Sequence, residues 1–147
     1  MCCVRRSGPP SRRATPARVD TALAIPIRDG TVLRADLYRP ASDGRFPVLI
    51  HRTPYSRIES PPDPLVVAAV RRGYVVLLED VRGRYGSDGV FDPYRQEGKE
   101  GYDTIEWAAH QPWSNGVVGI FGLSYPGAVQ WLAAVEHPPS LKAWCLP

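Results

Sequence analysis

Apolar and polar positions divide the chain into short strand-like runs and longer amphipathic stretches. Residues 22–27 and 31–38 read as two strands. Arg28-Asp29-Gly30 between them is a hairpin signal, because Asp-Gly supplies the positive φ of a tight turn. Residues 46–50, 74–78 and 117–121 are apolar runs without alternation, the pattern of strands buried on both faces. A last run, 141–146, begins a sixth strand, and the sequence stops there. Three helices are expected between the strands. Residues 65–72 form one, with Asp63 as N-cap, Pro64 at the first helical position and Gly73 ending it. Residues 94–110 form another, with Tyr102, Ile105, Trp107 and Ala109 as buried candidates. Residues 128–136 carry Ala128, Val129, Trp131, Leu132, Ala133 and Val135, which predicts a broad buried face. Apolar strands alternating with helices define an α/β fold: a mostly parallel sheet covered on both sides, with the antiparallel hairpin as an added edge.

Composition narrows the class. The 147 residues suffice for one domain, and 44% apolar with 22% charged residues is the balance of a globular protein. No apolar run approaches the ~18–20 residues needed to span a membrane. The net charge of +3 is concentrated in one place. Five arginines and no acidic residue lie in the first 18 positions, so residues 19–147 carry 13 basic against 15 acidic side chains, net −2. A nucleic-acid-binding face is not indicated. Residues 1–18 are expected to be a disordered Arg/Pro-rich tail. They contain Arg-Arg pairs but no following apolar region, so a secretory or twin-arginine signal is not indicated and a cytoplasmic location is the default. Cys2, Cys3 and Cys145 make no disulfide framework and have no zinc spacing, and Cys145 reads as a buried small hydrophobe.

The candidate chemistry lies at 113–131, WSNGVVGIFGLSYPGAVQW. A buried strand, a tight small-residue corner and a helix make the layout of a nucleophile elbow, with Ser124 at the corner. The pattern G-x-S-x-G is broken, since Pro126 stands where the second glycine belongs. The backbone N–H of Tyr125 is a candidate oxyanion donor. A second donor comes from the loop after the third strand. Tyr55 lies there, and its hydroxyl either donates to the oxyanion or its ring packs beneath the loop; the chemistry alone leaves both open. Asp80, Arg82, Arg84 and Asp88 read as braces of a glycine-rich loop, and Asp103 as helix packing. No pair among His51, His110 and His137 has metal-ligand spacing. His137 stands a helix length from Ser124, too far to serve as its base. In such a sheet the ends of the third, fourth and fifth strands converge on one rim.

Four segments resemble the CocE/NonD serine hydrolases, the cocaine esterase and X-prolyl dipeptidyl aminopeptidase-like α/β-hydrolases. They are RTPYSR (52–57), GYVVLLEDVRGRYGSDGVF (73–91), EGYDTIEWAAHQPWSNGVVGIFGLSYPGAVQWLAA (100–134) and HPPSLKA (137–143). The family elbow is G-x-S-Y-x-G, which accommodates Pro126. The resemblance implies an α/β-hydrolase fold over residues 19–147, truncated at the sixth strand. It implies Ser124 as nucleophile, with Tyr55 and the Tyr125 N–H as the oxyanion hole, acting on small-molecule esters, amides or short peptides through a Ser acyl-enzyme. It implies no metal or organic cofactor in catalysis. The family order is Ser, then Asp, then His, so the triad Asp and His are absent from this chain, which is expected to be inactive alone. The alternative is a non-catalytic hydrolase remnant, or a half that acts only with a partner chain.

Overall fold

The structure is a computed structural model that describes residues 17–58 and 63–145. Residues 1–16, including Cys2, Cys3 and most of the expected tail, lie outside the described residues, as do 59–62. In chain order the elements are β1 (Ala17–Pro26), β2 (Val32–Pro40), β3 (Phe46–Thr53), α1 (Pro64–Arg71), β4 (Val75–Asp80), α2 (Glu97–Ala109), β5 (Ser114–Phe121), α3 (Tyr125–Val135) and β6 (Leu141–Cys145). One sheet contains all six strands in the order β1-β2-β4-β3-β5-β6. β2 is antiparallel to both β1 and β4, while β4, β3, β5 and β6 are mutually parallel. The expected parallel sheet with an antiparallel hairpin edge is therefore present.

Strand alternation divides the core between the two faces. Leu33, Leu37, Val48, Ile50, Val75, Leu77, Val118 and Ile120 point to the face covered by Ile105 and Ala108 of α2 and Ala133 of α3. Val76, Leu78 and Tyr38 point to the other face, where Val66, Ala69 and Val70 of α1 cover them. α1 starts as the sequence implies, with the Leu65 N–H donating to Asp63 Oδ1 at 2.6 Å and Pro64 in the first turn. α2 and α3 approach closely at Gly101, where a Cβ would lie 2.5 Å from that of Ala133.

Several boundaries and faces differ from expectation. β1 begins at Ala17, opposite Pro40, so the last two residues of the expected tail belong to the sheet. α2 begins at Glu97 rather than residue 94, because Tyr94 adopts φ 67° and cannot continue a right-handed helix. Tyr102 and Trp107 are only half-buried. On α3 the buried side chains are Tyr125, Pro126, Val129, Gln130 and Ala133, whereas Trp131 and Val135 are exposed. Residues 129 and 133 share one helical face, and 131 and 135 share the opposite one. Cys145 is also exposed, not buried. It lies on β6, which pairs with β5 alone among the described strands and leaves residues 142–145 exposed. No described helix is long and apolar enough to cross a membrane.

An uncovered strand edge beside exposed Trp131 and Trp144 is a template for association with another chain. The chain is expected to self-associate with rising concentration, seen as an increasing weight-average mass in sedimentation equilibrium. Trp144→Lys shifts that increase to higher concentration; a wild-type mass fixed at the monomer value would contradict it.

Candidate active site

β5 ends at Phe121 and α3 begins at Tyr125, so the chain reverses within three residues. Ser124 occupies that corner at φ 63°, ψ −124°, a conformation that L-residues avoid, at a cost of about 1–3 kcal/mol. Its side chain makes no capping hydrogen bond to α3, and the residue is exposed. Its carbonyl accepts the Ala128 N–H at 2.9 Å, the bond that closes the first turn. Gly122 lets the corner form: it adopts φ 149°, and a Cβ there would lie 2.4 Å from Pro126 Cβ and 3.1 Å from His51 Nδ1. From within α3, buried Gln130 donates to the carbonyls of Gly122 and Pro126 at 3.0 and 3.2 Å. Pro126 thus packs against the corner that it seemed to interrupt.

The neighbouring strand ends arrive at the same rim. Thr53 of β3 pairs with Asp80 of β4, and Ile50 of β3 with Ile120 of β5. Tyr55 follows β3 by two residues and is 63% exposed, so its ring is not packed beneath the loop. The loop backbone is pinned around it. The Tyr55 N–H donates to Thr53 Oγ1 at 3.1 Å, Arg84 Nε to the Pro54 carbonyl at 3.0 Å and the Arg57 N–H to Asp80 Oδ1 at 2.7 Å. The Arg57 guanidinium pairs with Asp80 and, at 3.0 Å, with Asp36. Gly86 N–H also donates to Asp80, and Arg84 stacks over Tyr85 and Phe91. The glycine-rich loop is accordingly braced through Asp80, Arg82 and Arg84. For the Asp88 side chain no such role is evident, though the residue's N–H donates to the Val32 carbonyl.

Below the rim lies a buried ionic cluster that the sequence reading did not find. Arg52, at the end of β3, donates from Nε to Glu79 Oε1 at 2.6 Å and from Nη1 to the Glu97 carbonyl at 2.9 Å. It pairs with the Glu97 carboxylate at 3.2 Å and with Glu100 at 3.4 Å. Thr104 Oγ1 donates to Glu79 at 2.7 Å. Glu100 also pairs with Arg82, which continues to Thr31 Oγ1 at 2.6 Å and Asp29 at 2.7 Å. Burial opposes the Arg52 charge, but Glu79 and Glu97 outweigh it and hold its pKa above the ordinary value. Burial pushes Glu79 and Glu100 upward against the pull of Arg52. Asp29 is held down at about 2, first by the Thr31 backbone and then by Arg82. The available sequence signal was Glu79-Asp80 ending an otherwise apolar run, with Glu97 and Glu100 one helical turn apart.

Tyr125 reaches into this cluster. Its hydroxyl donates to Glu97 Oε1 at 2.7 Å, and burial first, then Glu97, raises its pKa above that of an ordinary tyrosine. The three histidines are dispersed, with His51 beside the elbow corner. His51 Nδ1 lies 3.2 Å from the Phe121 carbonyl, and His110 Nδ1 lies 2.7 Å from that of Glu106. His137 is exposed beyond the far end of α3, about 16 Å along an 11-residue helix from the elbow. Asp103 does more than pack: it forms a two-pronged pair with Arg28, joining α2 to the hairpin turn. Among the described residues no His, Cys, Asp and Glu set is grouped to hold a metal.

A mixed sheet with a strained serine at the corner after β5 is the architecture of an α/β-hydrolase. The chain belongs to the X-Pro dipeptidyl-peptidase (S15) family, whose sequence model matches residues 29–146. It is 41% identical over 129 residues to cocaine esterase of Rhodococcus sp. (strain MB1 Bresler), covering 85% of this chain and 22% of that protein. A CocE/NonD family hydrolase from Staphylococcus aureus superposes with a TM-score of 0.79 at 33% identity, over 86% of this chain and 26% of the other. An α-amino acid ester hydrolase superposes with a TM-score of 0.78 at 28% identity, over 95% and 26%. The chain thus spans about a fifth of the length of the curated relatives it matches.

Two substitutions test this framework by urea denaturation. Gly122→Ala forces a Cβ into Pro126 and is expected to destabilise by about 2–4 kcal/mol. Arg52→Leu leaves buried Glu79 without its counter-charge and is expected to cost about 3–5 kcal/mol. Losses below about 1 kcal/mol would remove the roles assigned to these residues.

Proposed function

We propose that this chain supplies the nucleophile and oxyanion hole of a serine hydrolase that cleaves ester or amide acyl bonds. One observation carries the reading: exposed Ser124, held at φ 63°, ψ −124° between β5 and α3. In that role Ser124 Oγ attacks the substrate carbonyl carbon, and the carbonyl oxygen takes the displaced electron pair. The Tyr125 N–H and the Tyr55 hydroxyl donate to that oxygen. The tetrahedral species expels the leaving alcohol or amine with a proton, leaving an acyl-serine, and water then releases the acid and restores the hydroxyl.

The substrates proposed are small-molecule esters, amides or short peptides. Relatives named for cocaine, for α-amino acid esters and for X-Pro peptides support this breadth. No residue of this chain is assigned as the triad His or Asp. Losing triad members removes most of the acceleration, although an oxyanion hole retains ~10³–10⁴-fold over water. The chain alone is therefore proposed to turn over substrate poorly. A second reading, in which another polypeptide completes the site, is favoured by the uncovered β6 edge.

A fluorophosphonate tests the nucleophile. A single, slowly formed adduct is expected at Ser124 by peptide mass spectrometry, because the oxyanion hole assists attack even without a base, and none in Ser124→Ala; labelling spread over many serines would sink the assignment. Robust p-nitrophenyl acetate turnover by residues 1–147, lost in Ser124→Ala, would show that the base lies within this chain.

A further inference from the structure

Tyr125 is anchored far more firmly than a backbone donor requires. It opens α3, and an opening turn lacks intrahelical partners for its first N–H groups. Its own N–H is therefore free to serve an oxyanion and equally free to point elsewhere. The side chain removes that freedom. Its ring lies 4.8 Å from the Tyr94 ring and 6.1 Å from the Phe91 ring. Its hydroxyl donates to Glu97 Oε1 at 2.7 Å. Glu97 is itself buried and paired with Arg52 at 3.2 Å.

We propose that Glu97 is a positioning residue for the elbow: by holding the Tyr125 hydroxyl it fixes the direction in which the Tyr125 N–H points. The proposal rests on the reading of Ser124 and Tyr125 given above. The physical argument is lever-like. A tyrosine side chain has two torsions between its backbone and a rigid ring. With the ring held beside two aromatic neighbours and the hydroxyl bonded to Glu97, the Cα–Cβ bond has one orientation. The adjoining N–H follows it. Phenylalanine at 125 would fill the same volume, so the hydroxyl is needed for direction rather than for packing. Only an acceptor is needed at 97, so an amide oxygen can replace the carboxylate.

Two measurements on the purified chain test this, using Tyr125→Phe, Glu97→Ala and Glu97→Gln. The first involves no acyl chemistry: amide hydrogen exchange by two-dimensional NMR. Exchange at Ala128, whose N–H bonds the Ser124 carbonyl, is expected to rise about tenfold in Tyr125→Phe and Glu97→Ala, with β3 and β4 amides changed less than about twofold. The second is the second-order rate of fluorophosphonate labelling at Ser124, expected to fall about tenfold in the same two variants. Glu97→Gln is expected to recover most of both effects. Unchanged exchange at Ala128 would overturn the proposal, as would a rise shared equally by all strands. Wild-type chain that fails to label would remove the nucleophile assignment, and the exchange measurement would still decide the positioning role. Labelling lost equally in Glu97→Ala and Glu97→Gln would show that charge, not the hydrogen bond, is what matters, and would overturn it too.

Discussion

The arrangement depends most on the charge of Arg52, which is buried and must be matched where it sits. A guanidinium taken out of water costs several kcal/mol unless carboxylates surround it. Glu79, Glu97 and Glu100 do so from β4 and α2, and Arg82 balances the excess of negative charge on Glu100. Replacing such a cluster with apolar side chains can leave stability unchanged or raise it. What ions impose here is register. Arg52 and Glu79 are direct partners across the β3–β4 ladder, and Glu97 opens α2. A shift of either strand by one residue would turn one of them to the opposite face and strand the other. The cluster therefore ties the ends of two strands to the start of a helix.

Alternation along β4 extends the same logic to the rim. Glu79 turns toward Arg52 and α2, so Asp80 must turn to the other side. There it meets Arg57 and the Gly86 N–H. Two adjacent acidic residues thus serve two arginines of one short segment, RTPYSR, from opposite faces of the sheet. Tyr55 lies between those arginines and stays exposed because both flanks of its loop are pinned. The loop is held by its backbone, which leaves the tyrosine side chain available to a ligand.

Much of this was legible in the sequence, for identifiable reasons. Apolar runs without alternation implied parallel strands, and Asp63-Pro64 implied a helix start, because burial and capping act locally. The glycine-serine corner implied the elbow. Other features depended on the third dimension. The faces of α3 could not be read from apolar residues alone, since Gln130 is buried to bond the Gly122 carbonyl while Trp131 is exposed. Tyr94 breaks the second helix through a positive φ that its residue type does not signal. The exposure of Cys145 follows from the edge position of β6, a property of strand order. Arg52 and Glu79 lie 27 positions apart, and nothing in either segment signals the other. Their pairing became visible only when β3 and β4 were neighbours.

The site adjoins the open edge, since Phe121 at the end of β5 pairs with Cys145 of β6, yet what shapes the elbow and what covers the edge are two separate questions. Ser124 is held in an unfavourable backbone conformation, so other contacts must impose that conformation. Those contacts come from Gln130, Pro126, Tyr125, Glu97 and Arg52, and all of them are internal to the central strands and their helices. None involves β6. The geometry of the elbow therefore has its causes within this chain, whatever covers the exposed edge. The proton transfers that would make Ser124 an efficient nucleophile need a base as well, and among the described contacts His51 lies at the Phe121 carbonyl and His110 at that of Glu106. Electrostatic pre-organisation for an oxyanion and general-base activation of a serine are separable parts of acyl-transfer chemistry. On the reading proposed for Ser124, the contacts that fix the elbow serve the first part.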